Sequence, residues 1–156
     1  MLLYRVRKQD NGFTLVEMIV AVIIVGVLAA VSAPNLLGWY NRSRANATLD
    51  KVEGAIKEAQ RQAMRNGRSC AINITNASRT ISGGCLLSNR VFGDYITLNS
   101  DQATIAFSSK GTTATDALIQ VTTNEGNVRR CLVVTSGLGL IRTGDMNGSD
   151  CVTRKN

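Results

Sequence analysis

The hydrophobic pattern divides the chain into a greasy segment, an amphipathic segment and a region of short alternating runs. From Met18 to Val31 no side chain is polar. The stretch from Phe13 to Leu37 is long enough to cross a bilayer, for which about 20 apolar residues suffice. Pro34 and Gly38 are expected to bend or loosen a helix there. Trp39-Tyr40 stand where aromatic rings collect at a membrane–water boundary, or equally where they would pack on a globular domain. Past Asn41 the apolar positions thin to Ala45, Leu49, Val52, Ile56, Ala59 and Ala63, spaced 4, 3, 4, 3 and 4 residues apart. That is one stripe along a helix. Arg44, Lys51, Lys57, Glu58, Arg61 and Arg65 fall mostly on the remaining surface, and Asn66-Gly67 supplies a left-handed stop. One helix over Phe13–Asn66 would hold 54 residues and measure about 80 Å. The heptad does not continue, so the stripe is expected to pack on a sheet rather than in a free coiled coil.

The remainder reads as strands. Cys70–Thr75 and Arg79–Leu87 form a first hairpin around Asn76-Ala77-Ser78, and Tyr95–Leu98 and Ala103–Ser108 are short candidates before a turn at Lys110-Gly111. Leu118–Thr123 and Val128–Val134 flank Asn124-Glu125-Gly126-Asn127, a hairpin signal, and Leu138–Arg142 adds a last strand before a polar tail. Runs of β-branched residues between glycine turns favour an antiparallel sheet. The expected fold is therefore α+β: a long N-terminal helix, transmembrane in its first half and amphipathic in its second, packed on one antiparallel sheet. The expected divisions are a leader over 1–12, a membrane helix over 13–37, its amphipathic continuation over 38–67 and a β-rich domain over 68–156.

Composition narrows the chemistry. The 156 residues contain no histidine, which removes a histidine-based triad or a histidine-ligated zinc. The glycine-rich stretches match neither a Walker A loop nor a dinucleotide fingerprint. No catalytic residue, cofactor, metal or small-molecule substrate is expected, so the chain does not read as an enzyme. The formal charge is +7. Arg5, Arg7, Lys8 and Asp10 precede the apolar run, and positive residues on that side place the C-terminal part across the membrane. Four cysteines, Cys70, Cys85, Cys131 and Cys151, lie in the part expected to be exported, without CxxC spacing. Two disulfides are expected. Three connectivities are possible, and Cys70–Cys85 with Cys131–Cys151 is favoured. The first would face across a hairpin and the second would tie the tail to a strand, each closing a loop whose entropy contributes ~3 kcal/mol.

Glu17 is the one charge in the apolar stretch, and a carboxylate at that depth costs several kcal/mol unless neutralised. A secretory signal carries its small-residue cleavage site after the apolar core; here the small residue followed by Phe, Gly12-Phe13, comes before it. Gly12, Phe13, Glu17 and Pro34 together resemble the class III signal of type IV pilins and type II secretion pseudopilins. The resemblance covers roughly the first forty residues. It implies cleavage by a prepilin peptidase between Gly12 and Phe13, N-methylation of Phe13, and a single-pass location in the bacterial inner membrane with the C-terminal domain periplasmic or extracellular. From that membrane the subunit would pass into a pilus or pseudopilus. Methylation keeps the amine's charge. Glu17 lies about one helical turn from the new terminus, so its carboxylate can meet the Phe13 amine of the same subunit or of a neighbouring one and fix their axial register.

Downstream, three stretches resemble the GspH/FimT group of minor pseudopilins and pilins. They are Ala59-Gln60-Arg61-Gln62-Ala63-Met64-Arg65-Asn66-Gly67, Ile105-Ala106-Phe107-Ser108-Ser109-Lys110-Gly111, and Gly137-Leu138-Gly139-Leu140-Ile141-Arg142. The resemblance implies a low-abundance subunit near a filament tip, with other pilins or pseudopilins as partners. Taken alone, Phe107 reads as a core residue and Gly111 as a turn requiring positive φ. A major pilin building the filament shaft is the first alternative, since its C-terminal disulfide loop would look like Cys131–Cys151. A DNA-binding minor pilin is the second, with Arg129, Arg130, Arg142, Arg154 and Lys155 as candidate phosphate contacts. The tail Gly144-Asp145-Met146-Asn147-Gly148-Ser149-Asp150 has clustered oxygens but not the spacing of an EF-hand, and reads as a polar loop held by Cys151.

Overall fold

The computed structural model describes residues 12–126 and 128–153; the side chains of residues 32–35, Pro34 among them, lie outside the described set. The leader residues Arg5, Arg7, Lys8 and Asp10 lie outside it as well, as do Arg154 and Lys155. One helix, α1 (Leu15–Asn66), precedes nine strands. The chain divides into two compact units, Met1–Leu37 and Gly38–Asn156.

In the first unit the described side chains of α1 are apolar apart from Glu17 in its first turn, and all of the large apolar ones are exposed, from Val20 at 49 % to Leu15 at 75 %. Among the described residues no single helix is long and apolar enough to cross a membrane. The sections Leu15–Val31 and Leu36–Asn66 reach that length and composition only together.

In the second unit the six stripe positions Ala45, Leu49, Val52, Ile56, Ala59 and Ala63 are all buried, joined by Thr48, Ala55 and Glu58. The helix ends at Asn66, and Gly67 (φ +61°) and Arg68 donate back to the Met64 and Ala63 carbonyls in the left-handed stop read from the sequence.

The strands form two antiparallel sheets rather than the single one expected. The first has the order β3 (Arg90–Val91), β2 (Thr80–Ser82), β1 (Cys70–Thr75), β5 (Thr104–Phe107). The second has the order β4 (Ile96–Ser100), β6 (Ala117–Thr123), β7 (Arg129–Thr135), β8 (Leu140–Asn147), β9 (Asp150–Thr153). Their inward positions alternate as a half-buried strand requires: Ile72 and Ile74 on β1, Ile119 and Val121 on β6, Leu132 and Val134 on β7. With Ile81, Ile96, Leu98, Ile105 and Phe107 they close one core against the helix stripe. Thr113 bridges Phe107 on one side and Gly137 on the other, and so joins β5 of the first sheet to the turn between β7 and β8 of the second.

Two strand assignments are corrected. The run Arg79–Leu87 is strand only over Thr80–Ser82. At Gly83 the backbone comes so close to β1 that a Cβ would lie 2.8 Å from the Ala71 carbonyl oxygen, and the chain turns away. The second correction is at the C-terminus. The stretch expected as a last strand and polar loop is a hairpin of β8 and β9, paired from Gly144↔Thr153 to Asn147↔Asp150. Thr143, Gly144 and Asp145 hide its alternation in the sequence.

Candidate assembly and processing site

The site begins where α1 begins. Thr14 precedes the first helical residue and Glu17 is the third within the helix, the T-x-x-E spacing of a capping box. The Glu17 backbone N–H donates to Thr14 Oγ1 (3.3 Å), while Glu17 Oε2 accepts from the Thr14 backbone N–H and from Thr14 Oγ1, each at 3.1 Å. The sequence reading placed Glu17 as a charge seeking an amine and missed this cap, although Thr14-Leu15-Val16-Glu17 carries its signature. The cap orients the carboxylate back toward residues 13 and 14. A carboxylate at a helix N-terminus also meets the positive end of the helix dipole. With Gly12 in place the Phe13 nitrogen is an amide; cleavage would make it an amine within one turn of that carboxylate. Gly12 and Phe13 are both exposed and precede the helix. Leu15, Met18, Ile19, Val22 and Ile23 line a shallow apolar groove along the same helix face.

Both expected disulfides are present, Cys70–Cys85 and Cys131–Cys151, each with Cα atoms 5.9 Å apart. The β1–β2 register, Asn73↔Ser82 and Ile74↔Ile81, would continue to place residue 85 opposite residue 70. The ladder stops at Ser82, so the first disulfide joins a strand to a turn. The second crosses from β7 to β9 over β8, at the point where β8 carries Gly144 between Cys131 and Thr153. A Cβ on Gly144 would overlap the Val152 carbonyl.

Among the described residues, the candidate phosphate-binding arginines Arg129, Arg130 and Arg142 do not form one patch. Successive strand residues point to opposite faces, and Arg129 and Arg130 separate accordingly. Arg130 lies with the inward-facing Leu132 and Val134, forms an ion pair with Asp145, and lines a cavity with Asn46, Leu49 and Asp50. Arg129 and Arg142 are exposed on the outer face. Arg142 pairs with Val133, four residues from Arg129 and hence ~13 Å along the strand. Among the described residues no group of three or more His, Cys, Asp or Glu side chains is placed to hold a metal ion.

Two anchoring side chains had no sequence signal. Glu58 is 9 % exposed; its Oε1 accepts from the Leu87 backbone N–H (2.7 Å) and its Oε2 pairs with Arg90 Nη2 (2.9 Å), which fastens the 84–90 turn to the helix. Gln60 Nε2 donates to the carbonyls of Gly111 (2.8 Å) and Gly139 (3.0 Å). Both glycines have positive φ, +78° and +63°. A Cβ on Gly139 would lie 2.5 Å from the Gly111 oxygen, so that turn has no room for a side chain, while at Gly111 the positive φ itself disfavours one. The three downstream stretches singled out in the sequence therefore meet at one side chain. Phe107, fully buried beside Gly139, is a core residue, and Gly111 is a positive-φ turn, as their sequence reading held.

The N-terminal box, the apolar helix and the helix-on-sheet body are together like those of type IV pilins, the class that includes the pseudopilins. Residues 7–33 match the family model "Prokaryotic N-terminal methylation motif". A fimbrial protein of Pseudomonas aeruginosa is 31 % identical over 68 residues, 44 % of each chain. The type II secretion system core protein G of Klebsiella pneumoniae is 38 % identical over 52 residues, 31 % of this chain and 37 % of that one. The type IV major fimbrial protein FimA of Dichelobacter nodosus is 26 % identical over 92 residues, 56 % of this chain and 58 % of that one. The chain thus spans about half the length, or less, of these relatives. The fold is that of the type IV minor pilin FimU of Pseudomonas aeruginosa, whose crystal structure superposes with a TM-score of 0.58 at 14 % identity, covering 73 % of this chain and 96 % of that one.

Proposed function

We propose that this chain is a structural subunit of a pilus-like filament, and within that class a minor, tip-associated subunit of the GspH/FimT type acting in type II secretion or type IV pilus assembly. The observation that carries the filament reading is the naked apolar helix headed by Glu17. A surface of this kind requires cover from lipid or from the helices of neighbouring subunits. In the order we infer, a prepilin peptidase cuts between Gly12 and Phe13 and methylates the new amine. The chain waits in the inner membrane with its globular domain outside. It then leaves the lipid for a filament, where Glu17 meets the Phe13 amine of its own chain or of a neighbour. A carboxylate and an ammonium in hydrocarbon are each costly alone, so their pairing favours one axial register.

The Gln60 node supports the GspH/FimT assignment, because the stretches that carry that resemblance form one structural unit. The rival reading, a major pilin of the shaft, draws on the likeness to FimA of Dichelobacter nodosus and on the Cys131–Cys151 loop. Abundance separates them: a shaft protein dominates sheared filaments on a gel, and a tip subunit is nearly invisible there. DNA binding has less support, since Arg130 is held by Asp145 and, among the described candidates, Arg129 and Arg142 alone share the outer face. Gel shifts with the 38–156 unit at low salt test it, and retardation that Arg142→Ala abolishes would restore it.

The filament reading is tested by Glu17→Ala in the native host. The variant is expected to be cut and inserted normally yet lost from filaments. Normal incorporation contradicts the pairing.

A further inference from the structure

Five Asn-x-Ser/Thr triplets occur in the part of the chain beyond the apolar segment, at Asn41, Asn46, Asn73, Asn76 and Asn147. Such a triplet is an acceptor for N-linked glycans only where the asparagine carboxamide is free and its backbone can be drawn into a transferase. The structure separates the five. Asn41 and Asn46 lie within α1; the Asn41 amide donates to Glu125 at 2.6 Å, and the hydroxyl residue of the other triplet, Thr48, is buried in the core. Asn73 is inside β1, paired on both sides with Ser82 and Thr104, and its Oδ1 accepts from Thr104 Oγ1 at 2.9 Å. The Asn76 carboxamide is engaged at both ends, Nδ2 donating to Asn99 Oδ1 and the Ser100 carbonyl and Oδ1 accepting from the Ser100 N–H.

Asn147 alone differs. It ends β8 at the tip of the hairpin that closes the edge of the second sheet, and Asn147, Gly148 and Ser149 are all exposed. Among the described residues its carboxamide has no hydrogen-bond partner. Gly148 (φ +63°) and Ser149 form the two-residue loop between the paired Asn147 and Asp150. A loop of this form asks for glycine first; it demands nothing of the amide at 147 or the hydroxyl at 149. Asp145 also places a carboxylate two residues ahead of this asparagine, which none of the other four triplets has.

We infer that Asn147 is a glycan-acceptor site, modified after export by a membrane transferase that uses a polyprenyl-diphosphate-linked oligosaccharide. Asn147 Nδ2 forms a bond to C1 of the first sugar, and the C1–O bond to the diphosphate breaks. The diphosphate leaves on its lipid with the bonding electron pair, and one Nδ2 proton passes to the transferase's base. This inference rests on the export reading above, because the acceptor and the transferase's active site must share the outer side of the membrane.

The test is peptide mapping of the full chain purified from membranes of its native host, reduced and cut with trypsin. The Thr143–Arg154 peptide is expected to carry a glycan on Asn147 that is absent in Asn147→Gln and in Ser149→Ala and retained in Ser149→Thr. Peptides holding Asn41, Asn46, Asn73 and Asn76 are expected to be bare. An unmodified Asn147 in a chain whose leader is removed and whose disulfides are formed overturns the inference and leaves the export reading standing. A chain with its leader intact and four free thiols overturns both. A glycan that survives Ser149→Ala overturns the N-linked assignment.

Discussion

Replacing Gln60 tests whether one side chain organises the body of the domain. Its amide gives two N–H···O bonds, at 2.8 and 3.0 Å, to carbonyls on two separate turns. Each such bond contributes about 0.5–1.5 kcal/mol net, and leaving a part-buried carbonyl unsatisfied adds to the loss. Neither turn can close on the gap, because Gly111 is packed against Met64 and Gly139 against Gly111 itself. Gln60→Ala is therefore expected to cost about 2–3 kcal/mol. Gln60→Met keeps the volume and removes the donors, so it should lose about 2 kcal/mol and assign the effect to hydrogen bonding. Gln60→Glu sets a carboxylate against two carbonyl oxygens and should be the worst of the three. Urea unfolding of the 38–156 unit reads the result: with a slope of about 2 kcal/mol per molar, the midpoint falls by about 1 M for Met and Ala. Midpoints within ~0.2 M of the parent for both variants would refute the account.

Other substitutions probe the remaining anchors. Glu58→Gln leaves the Leu87 N–H and Arg90 facing a neutral group; Arg90 is about a third exposed, so the loss is expected at ~1–2 kcal/mol, seen as a lowered Tm and faster proteolysis in the 84–90 turn. Gly144→Ala drives a methyl into the Val152 carbonyl and is expected to displace β9, at a cost of about 1–3 kcal/mol. Thiol titration should then find Cys131 and Cys151 partly reduced while Cys70–Cys85 stays intact. Thr14→Val removes the side-chain half of the capping box and should lower helicity at the start of α1 in micelles, by about 1 kcal/mol of local stability, without blocking cleavage at Gly12.

The long helix was legible because its signals are local and repeated. Six core positions followed from the 3-and-4 spacing of Ala45 to Ala63, and its end followed from Asn66-Gly67. The disulfides were legible because cysteine separation and hairpin position agree. The division into two sheets was not, since it depends on where the chain leaves a ladder. The end of β2 at Ser82 was likewise hidden: the close approach of Gly83 to the Ala71 carbonyl is a contact between strands that no window of sequence contains. Glu58 was placed on the solvent face because its neighbours are charged, and only the returning 84–90 turn buries it. Arg129 and Arg130, both candidate phosphate contacts, are adjacent in sequence, yet the strand period places them on opposite faces. The capping box at Thr14 and Glu17 was readable but eclipsed by the stronger question of why a charge stands in an apolar run.

The most direct test of the central claim is the mass of the N-terminal tryptic peptide of the protein from its native membranes. The account predicts a peptide running from Phe13 to Arg42 and heavier by one methyl group, about 14 Da. Peptides from residues 1–12, or a terminus lying beyond the apolar segment, would contradict it.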